Sequence, residues 1–130
     1  MKNTYIIGEI GQNHNGSVDL AKLIIELISR PVHEDVFGMD FMPMNAVKMT
    51  KRDLSEELAV SQMNQIYDNP NSFGRTYGEH RAFLELDDQA HFEIYKYAKS
   101  LGLDFIETLC AKGCLSLLKL FTPCLLYTSD

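Results

Sequence analysis

The apolar run Tyr5-Ile6-Ile7 breaks into Gly8-Glu9-Ile10-Gly11-Gln12-Asn13-His14-Asn15-Gly16 just ahead of Ser17, and this passage constrains the fold more than any other. The residues before Glu9 read as a buried strand. Ser17 is a good N-cap for a helix that starts at Val18, so the acid, the amides and the imidazole are confined to the strand's C-terminal mouth. Ligands of parallel α/β proteins bind at that mouth.

The same order of apolar run, polar end and helix recurs twice. Ala46-Val47-Lys48-Met49 reads as a second strand ending in Thr50-Lys51-Arg52-Asp53, and Leu103 to Ile106 as a third whose end is marked by Glu107-Thr108. Between them, Val18, Ala21, Leu23, Ile24, Leu27 and Ile28 predict a first helix over 18–28, closed by Arg30-Pro31. Residues 32–45 carry Gly38 and Pro43 among scattered Phe and Met, which predicts an irregular excursion whose apolar residues pack onto the sheet or a partner. Met39, Met42 and Met44 in it suit core or interface filling.

Leu54 to Met63 is expected to be helical, started by Asp53 or Ser55. Tyr67 to Gly74 is dense in turn formers and is expected to be a loop, with a further helical stretch over Tyr77 to Leu86. Asp87 or Asp88 caps the clearest helix, which carries Phe92, Tyr95, Ala98 and Leu101 on one face and stops at Gly102. A last helix over Gly113 to Phe121 would turn Leu115, Leu118 and Phe121 inward. Three strand-then-helix units in series imply an α/β fold of parallel strands with right-handed crossovers. No linker or low-complexity segment divides residues 1–123.

A chain of 130 residues, 45% hydrophobic and 23% charged, fits one ordinary core. Its net charge of -6 argues against nucleic acid, which is held by clustered Lys and Arg, but leaves room for a small anionic ligand. There is no apolar leader and no run long enough to span a bilayer, so no membrane partner and a cytoplasmic location are expected. Cys110 and Cys114 suit a helical face, since a zinc site would need a second ligand pair that is missing. The last seven residues, Cys124 to Asp130, are what TGT CTC TTA TAC ACA TCT GAC encodes, which resembles transposon-end adapter read-through. The natural sequence is therefore expected to leave this reading near Pro123, making the chain a truncated piece, with a genuine short terminal strand as the alternative.

Glu9, Lys48 and Thr108 each stand where a strand should end, so parallel strands would bring them to one mouth. An acid between Ile7 and Ile10 costs free energy unless paired, which favours a functional Glu9 over a purely structural acceptor. Lys48 follows Val47 on an apolar strand and is expected to meet a phosphate or carboxylate, or else to pair with Glu9. Lys51 and Arg52 read as rim residues paired with Asp53, or else as additions to the field that holds the anion. His14, between Asn13 and Asn15, reads either as a ligand-facing donor or as a loop hydrogen-bonder. His33, His80 and His91 have no convergent partner in sequence and read as surface or packing residues.

The string Gly8-Glu9-Ile10-Gly11-Gln12-Asn13-His14-Asn15-Gly16, then Ala46-Val47-Lys48, then Phe105-Ile106-Glu107-Thr108, resembles the sialic acid synthase (N-acetylneuraminate synthase) family from about Ile6 to Pro123. The resemblance implies the first three βα units of an eight-stranded (β/α)8 TIM-type barrel. It implies condensation of phosphoenolpyruvate with the open-chain aldehyde of an N-acylated hexosamine, giving a nine-carbon 2-keto sugar acid and phosphate. Glu9 would then handle a proton beside the reacting carbons, and Lys48 and Thr108 would hold phosphoenolpyruvate. Asn13 and His14 would lie on the substrate side.

Thr50 falls where many members carry a glutamine that touches the acceptor sugar, and Glu107-Thr108-Leu109-Cys110 replaces a common Ser-Thr-Pro-Phe. The resemblance also implies a homodimer and a divalent metal, Mn or Mg, on histidines of later strands that this chain lacks. Two rivals stand beside it: a Schiff-base aldolase of the same barrel with Lys48 as nucleophile, and a non-catalytic piece.

Overall fold

The structure, a computed structural model, describes residues 4–128. Its main sheet is parallel throughout. Strand β1 (Ile7–Glu9) lies beside β4 (Ala46–Lys51), β4 beside β5 (Asp104–Leu109), and β5 beside β6 (Leu125–Thr128). Register sets Glu9 opposite Lys48 and Thr50 opposite Thr108.

Alternation along each strand sorts the side chains into two faces. Ile10, Val47, Met49, Phe105 and Leu109 are buried against helices α1 (Val18–Ile28) and α5 (Asp88–Ser100), which contribute Ala21, Ile25, Ile94 and Ala98. The opposite face carries Glu9, Lys48, Thr50 and Thr108.

Helix α1 starts where Ser17 Oγ accepts from Leu20 N at 3.2 Å, and α5 where Asp87 accepts from Ala90 N at 2.8 Å. Each cap supplies a partner for an otherwise orphaned N–H and contributes about 1 kcal/mol. Helix α5 stops at Leu101, after which Gly102 takes φ +78°. Gly8 is needed for a different reason: a Cβ there would run into the Met44 thioether and the end of Ile28. Met44 thus packs as expected.

Four parts of the chain depart from the pattern read in sequence. Residues 32–45 form an antiparallel hairpin, β2 (Val32–Glu34) with β3 (Met39–Phe41), whose turn is held by the Glu34 carboxylate accepting from Val36 N and Phe37 N at 2.6 and 2.9 Å. Its apolar residues do not pack down: Val36, Phe37 and Met42 are 80%, 79% and 80% exposed, and Met39 is half exposed. Leu54 to Met63 is broken into α2 (Leu54–Glu57) and α3 (Val60–Met63), because Leu58 and Ala59 are extended and Gln62 turns back to accept from Ala59 N. The fourth helix, α4 (Tyr77–Leu84), opens on a Thr76/Glu79 capping box.

Strand β5 runs on to Leu109, so Glu107 and Thr108 lie within it. The last helix is a 3-10 helix over Lys112–Lys119, and its three-residue period lines up Cys114 and Leu117 inward while Leu115 stays half exposed. Phe121 is buried against Tyr95 and Phe105. Beyond it, β6 pairs with β5; an open strand edge offers unpaired N–H and C=O groups to any adjacent β-prone segment, whatever that segment's origin. No helix among the described residues is long and apolar enough to cross a membrane.

Candidate active site

Three parallel strands that end at one edge bring distant residues together, and here they form a groove of about 570 Å³. Glu9 from β1, Lys48 and Thr50 from β4, and Thr108 from β5 line one part of it. Arg52, Glu56, Glu57 and Cys110 line the rest. The expected convergence of Glu9, Lys48, Thr50 and Thr108 is therefore present in the geometry.

Lys48 Nζ donates to Glu9 Oε1 at 3.0 Å. Glu9 is not the buried acid that its sequence neighbours suggest, since its side chain is 57% exposed. Ile10 points into the helix layer and Ile7, two residues away on the groove face, is itself exposed. Thr108 Oγ1 is buried and has no hydrogen-bond partner among the described residues. A buried hydroxyl left unpaired costs free energy.

The two cations at the end of β4, Lys51 and Arg52, do not both sit at the rim. Arg52 lies on the groove wall, where Nη1 donates to Glu57 Oε2 at 2.7 Å, and Glu57 Oε1 accepts from Asp53 N at 3.1 Å. Asp53 instead caps α2, accepting from Ser55 N at 3.0 Å, and its hydrogen bonds to Ser55 hold its carboxyl below the usual range. Lys51 points to the opposite face and donates to the Leu86 carbonyl at 2.6 Å. There it borders a separate cavity of about 410 Å³ with Glu85, whose carboxyl is pushed up by burial.

Asn13 and His14 are not brought into the groove. The β1–α1 loop folds over α4, with Gly16 at φ +72° tight against the Phe83 carbonyl, and His14 is 3% exposed beneath it. Its Nδ1 accepts from Gly16 N at 3.0 Å, while burial, and then the nearby His91, push its imidazole down. The loop-bonding alternative for His14 is the one the geometry displays. Asn13 is exposed, and its N–H closes the loop on the Ile10 carbonyl.

His91 has a partner after all. It is buried on α5 with Nδ1 3.2 Å from Glu107 Oε2, on the helix side of the sheet. A signal for this pair was present: Glu107 is in phase with Phe105 and Leu109, and His91 with Ile94 and Ala98, so both belong to buried faces. His33 pairs with Asp40 on the exposed hairpin, and His80 stacks on Phe73.

Among the described residues no group of three His, Cys, Asp or Glu side chains is placed to hold a metal ion, and the Glu9 carboxylate is already bonded to Lys48. The residues present thus do not fit a metal centre of their own.

No family model matches the chain. It is 34% identical over 102 residues to N-acetylneuraminate-9-phosphate synthase of Drosophila melanogaster, covering 78% of this chain and 24% of that one. It is 33% identical over 108 residues to N,N'-diacetyllegionaminic acid synthase of Campylobacter jejuni, covering 83% of this chain and 29% of that one. The chain spans roughly a quarter of the length of these curated relatives. Among solved structures, N-acetylneuraminic acid (sialic acid) synthetase from Leptospira borgpetersenii shares the fold, with a TM-score of 0.59 at 19% identity over 91% of this chain and 33% of that one. By these relatives and by the Glu9-to-Gly16 and Ala46-to-Lys48 strings that its parallel strands set side by side, the chain belongs to the sialic acid synthase family.

Proposed function

We propose that residues 1–123 are the N-terminal part of a (β/α)8 TIM-type barrel, with residues 124–130 adapter-derived, and that the full-length protein is a phosphoenolpyruvate-dependent transferase of N-acetylneuraminate synthase type. It would join phosphoenolpyruvate to the open-chain aldehyde of an N-acylated hexosamine such as N-acetylmannosamine and release phosphate. One observation carries this reading: Glu9, Lys48, Thr50 and Thr108 share one groove at the C-terminal ends of parallel strands.

In the reaction, the C2–C3 π pair of phosphoenolpyruvate forms a bond from C3 to the aldehyde carbon, whose oxygen takes up a proton. Water adds at C2 and gives up a proton. The bond between C2 and the bridging oxygen then breaks, phosphate leaves with that oxygen and takes up the proton of the C2 hydroxyl, and C2 becomes the ketone. Lys48 and the unpaired Thr108 hydroxyl hold the carboxylate and phosphate, and Glu9, beside Lys48, handles the proton. Thr50, between them on β4, faces the acceptor. A divalent metal, Mn or Mg, would have to be held by residues outside this chain, and it would polarise the aldehyde there.

The aldolase rival requires Lys48 to attack a carbonyl. Its Nζ instead donates to Glu9 Oε1 at 3.0 Å, a contact that attack on a carbonyl would have to give up. Two measurements on the full-length protein separate the readings: phosphate release with phosphoenolpyruvate, sugar or both, and borohydride trapping of pyruvate on Lys48. Phosphate released only when both are present, without a trapped adduct, is the expected result. Trapping would replace this reading with the aldolase. The 130-residue chain by itself is expected to turn nothing over.

A further inference from the structure

We infer that His91 and Glu107, behind the sheet, are positioning residues for the phosphoenolpyruvate end of the groove: their buried contact fixes the height of β5 and, with it, the Thr108 hydroxyl. The inference rests on the phosphoenolpyruvate-dependent reading above and adds to it two residues that never touch the ligand. Consecutive strand residues point to opposite faces and their Cα atoms are ~3.8 Å apart, so whatever shifts Glu107 carries Thr108 with it. The ladder to β4, which sets Glu107 opposite Met49 and Thr108 opposite Thr50, fixes β5 within the plane of the sheet. Perpendicular to that plane, the front of β5 opens on the groove at Thr108, so the strand's height is set from the helix side. There Phe105 and Leu109 make apolar contacts, which have no direction. Glu107 Oε2, 3.2 Å from His91 Nδ1, makes a hydrogen bond, which has a preferred length and angle.

Stability does not account for the pair. Both side chains are buried, Oε1 of Glu107 has no partner among the described residues, and apolar residues of similar size would avoid both costs. What a buried polar pair supplies in place of stability is one fixed geometry. The other strand ends meet this pair from behind as well. His14, in the loop that follows Glu9, lies near enough to His91 for the second imidazole to disfavour its charge, and Lys51, which ends β4, lies near enough to Glu107 to favour the carboxylate. Each of the strand ends that carry Glu9, Lys48 and Thr108 thus has a polar group in the same region on the helix side, with His91 of α5 among them.

The test uses the full-length protein and compares KM for phosphoenolpyruvate, KM for the N-acylated hexosamine and the denaturant midpoint in wild type and variants. His91→Leu combined with Glu107→Met should hold the midpoint and leave KM for the sugar unchanged. It should raise KM for phosphoenolpyruvate by about tenfold, the scale on which a displacement of under about 1 Å acts on a group that holds substrate. His91→Asn, whose amide can stand where Nδ1 stands, should recover most of the wild-type value, and His91→Ala should not. Calorimetric titration with phosphoenolpyruvate should give the same order without turnover. A KM for phosphoenolpyruvate that the double variant leaves unmoved overturns the inference, and so does a loss shared equally by both KM values and the midpoint, which is what general loosening gives. Should the double variant not fold, His91→Asn and His91→Ala decide: equal KM for phosphoenolpyruvate in the two overturns it. Wild-type protein that releases no phosphate with both substrates present sinks the condensation reading and this inference with it. Turnover by wild type, matched in every constant by the double variant, sinks this inference alone.

Discussion

Nδ1 of His91 lies 3.2 Å from Oε2 of Glu107, and neither side chain reaches solvent. The pair ties α5 to the middle of β5 on the side of the sheet away from the groove, with Oε1 of Glu107 left without a partner among the described residues. Removing one member strands the other. We expect His91→Ala to destabilise the full-length protein by about 1–3 kcal/mol, the cost of a buried carboxyl left without its partner, whereas His91→Leu combined with Glu107→Met should be neutral or stabilising, since two apolar groups avoid the cost of desolvation altogether. Denaturant titrations of the single and double variants check this. A double variant as damaged as His91→Ala would show that shape, and not charge, matters at this contact.

The same region predicts a pH dependence with two limbs of opposite sign. Burial holds the His14 imidazole below its ordinary value of 6.5, so the unfolded chain binds the proton first and stability is lost as pH falls from about there toward the folded value. Burial raises the Glu107 carboxyl above 4.5, against the opposing pull of His91 and Lys51. The folded state therefore keeps a proton that the unfolded state has released, and stability is lost as pH rises from about 4.5 toward the folded value. His14→Asn, whose amide oxygen can still accept from Gly16 N, should flatten the first limb, and Glu107→Gln the second. Unfolding free energies measured across these windows decide; slopes unchanged in both variants would remove these two groups from the titration.

Much of this architecture is legible along the chain, and the parts that are not share a cause. Ser17 with its apolar helix, Asp87 with Gly102 around α5, and the strand ends at Glu9 and Lys48 are local signals, because capping and periodicity act within one element. The hairpin over 32–45 has strands of three residues with no buried face, so it lacks the alternation by which a strand is recognised. Glu57 could be placed beside Arg52 only once α2 was known to stop at Glu57, and His91 beside Glu107 only by phasing a helix against a strand 16 residues away. The exposure of Glu9 was hidden for a similar reason: its apolar neighbours in sequence are not its neighbours in space.

Two glycines with positive φ should respond differently to alanine. At Gly16, φ +72°, a Cβ would collide with the Phe83 carbonyl, while at Gly38, φ +61°, it would meet open space. Left-handed strain alone costs about 1–2 kcal/mol for a residue with a Cβ. Gly38→Ala should lose that much and Gly16→Ala clearly more, with displacement of α4 visible as increased amide exchange around Phe83. Equal losses at the two sites would mean that the loop moves away from α4 without penalty.

The exposed Val36, Phe37 and Met42 on the hairpin, with half-exposed Leu125 and Leu126 on the edge strand, make the 130-residue chain prone to associate when it is alone. Sedimentation velocity should show mass rising with concentration, accompanied by dye binding, and Phe37→Ser with Met42→Ser should lower both. A monomer with a cooperative thermal transition and sharp methyl signals would count against this expectation.

Glu9 and Lys48 share a hydrogen bond but are assigned different work, and their variants should separate it. Glu9→Gln keeps an oxygen to accept from Lys48 while removing the capacity to take and return a proton. In the full-length protein it should lower kcat by about 10²–10⁴ and leave phosphoenolpyruvate binding largely intact. Lys48→Ala removes a charge-assisted partner of the anion, a loss of about 1.5–3 kcal/mol, so phosphoenolpyruvate should bind roughly ten- to a hundredfold more weakly. It also frees the Glu9 carboxylate to repel that anion, which adds to the loss; Lys48→Ala combined with Glu9→Gln should recover part of the affinity but none of the turnover. Calorimetric titration with phosphoenolpyruvate and a phosphate-release assay together give all three results. Wild-type turnover in Glu9→Gln would take the proton away from Glu9, and unchanged affinity in Lys48→Ala would take the anion away from Lys48.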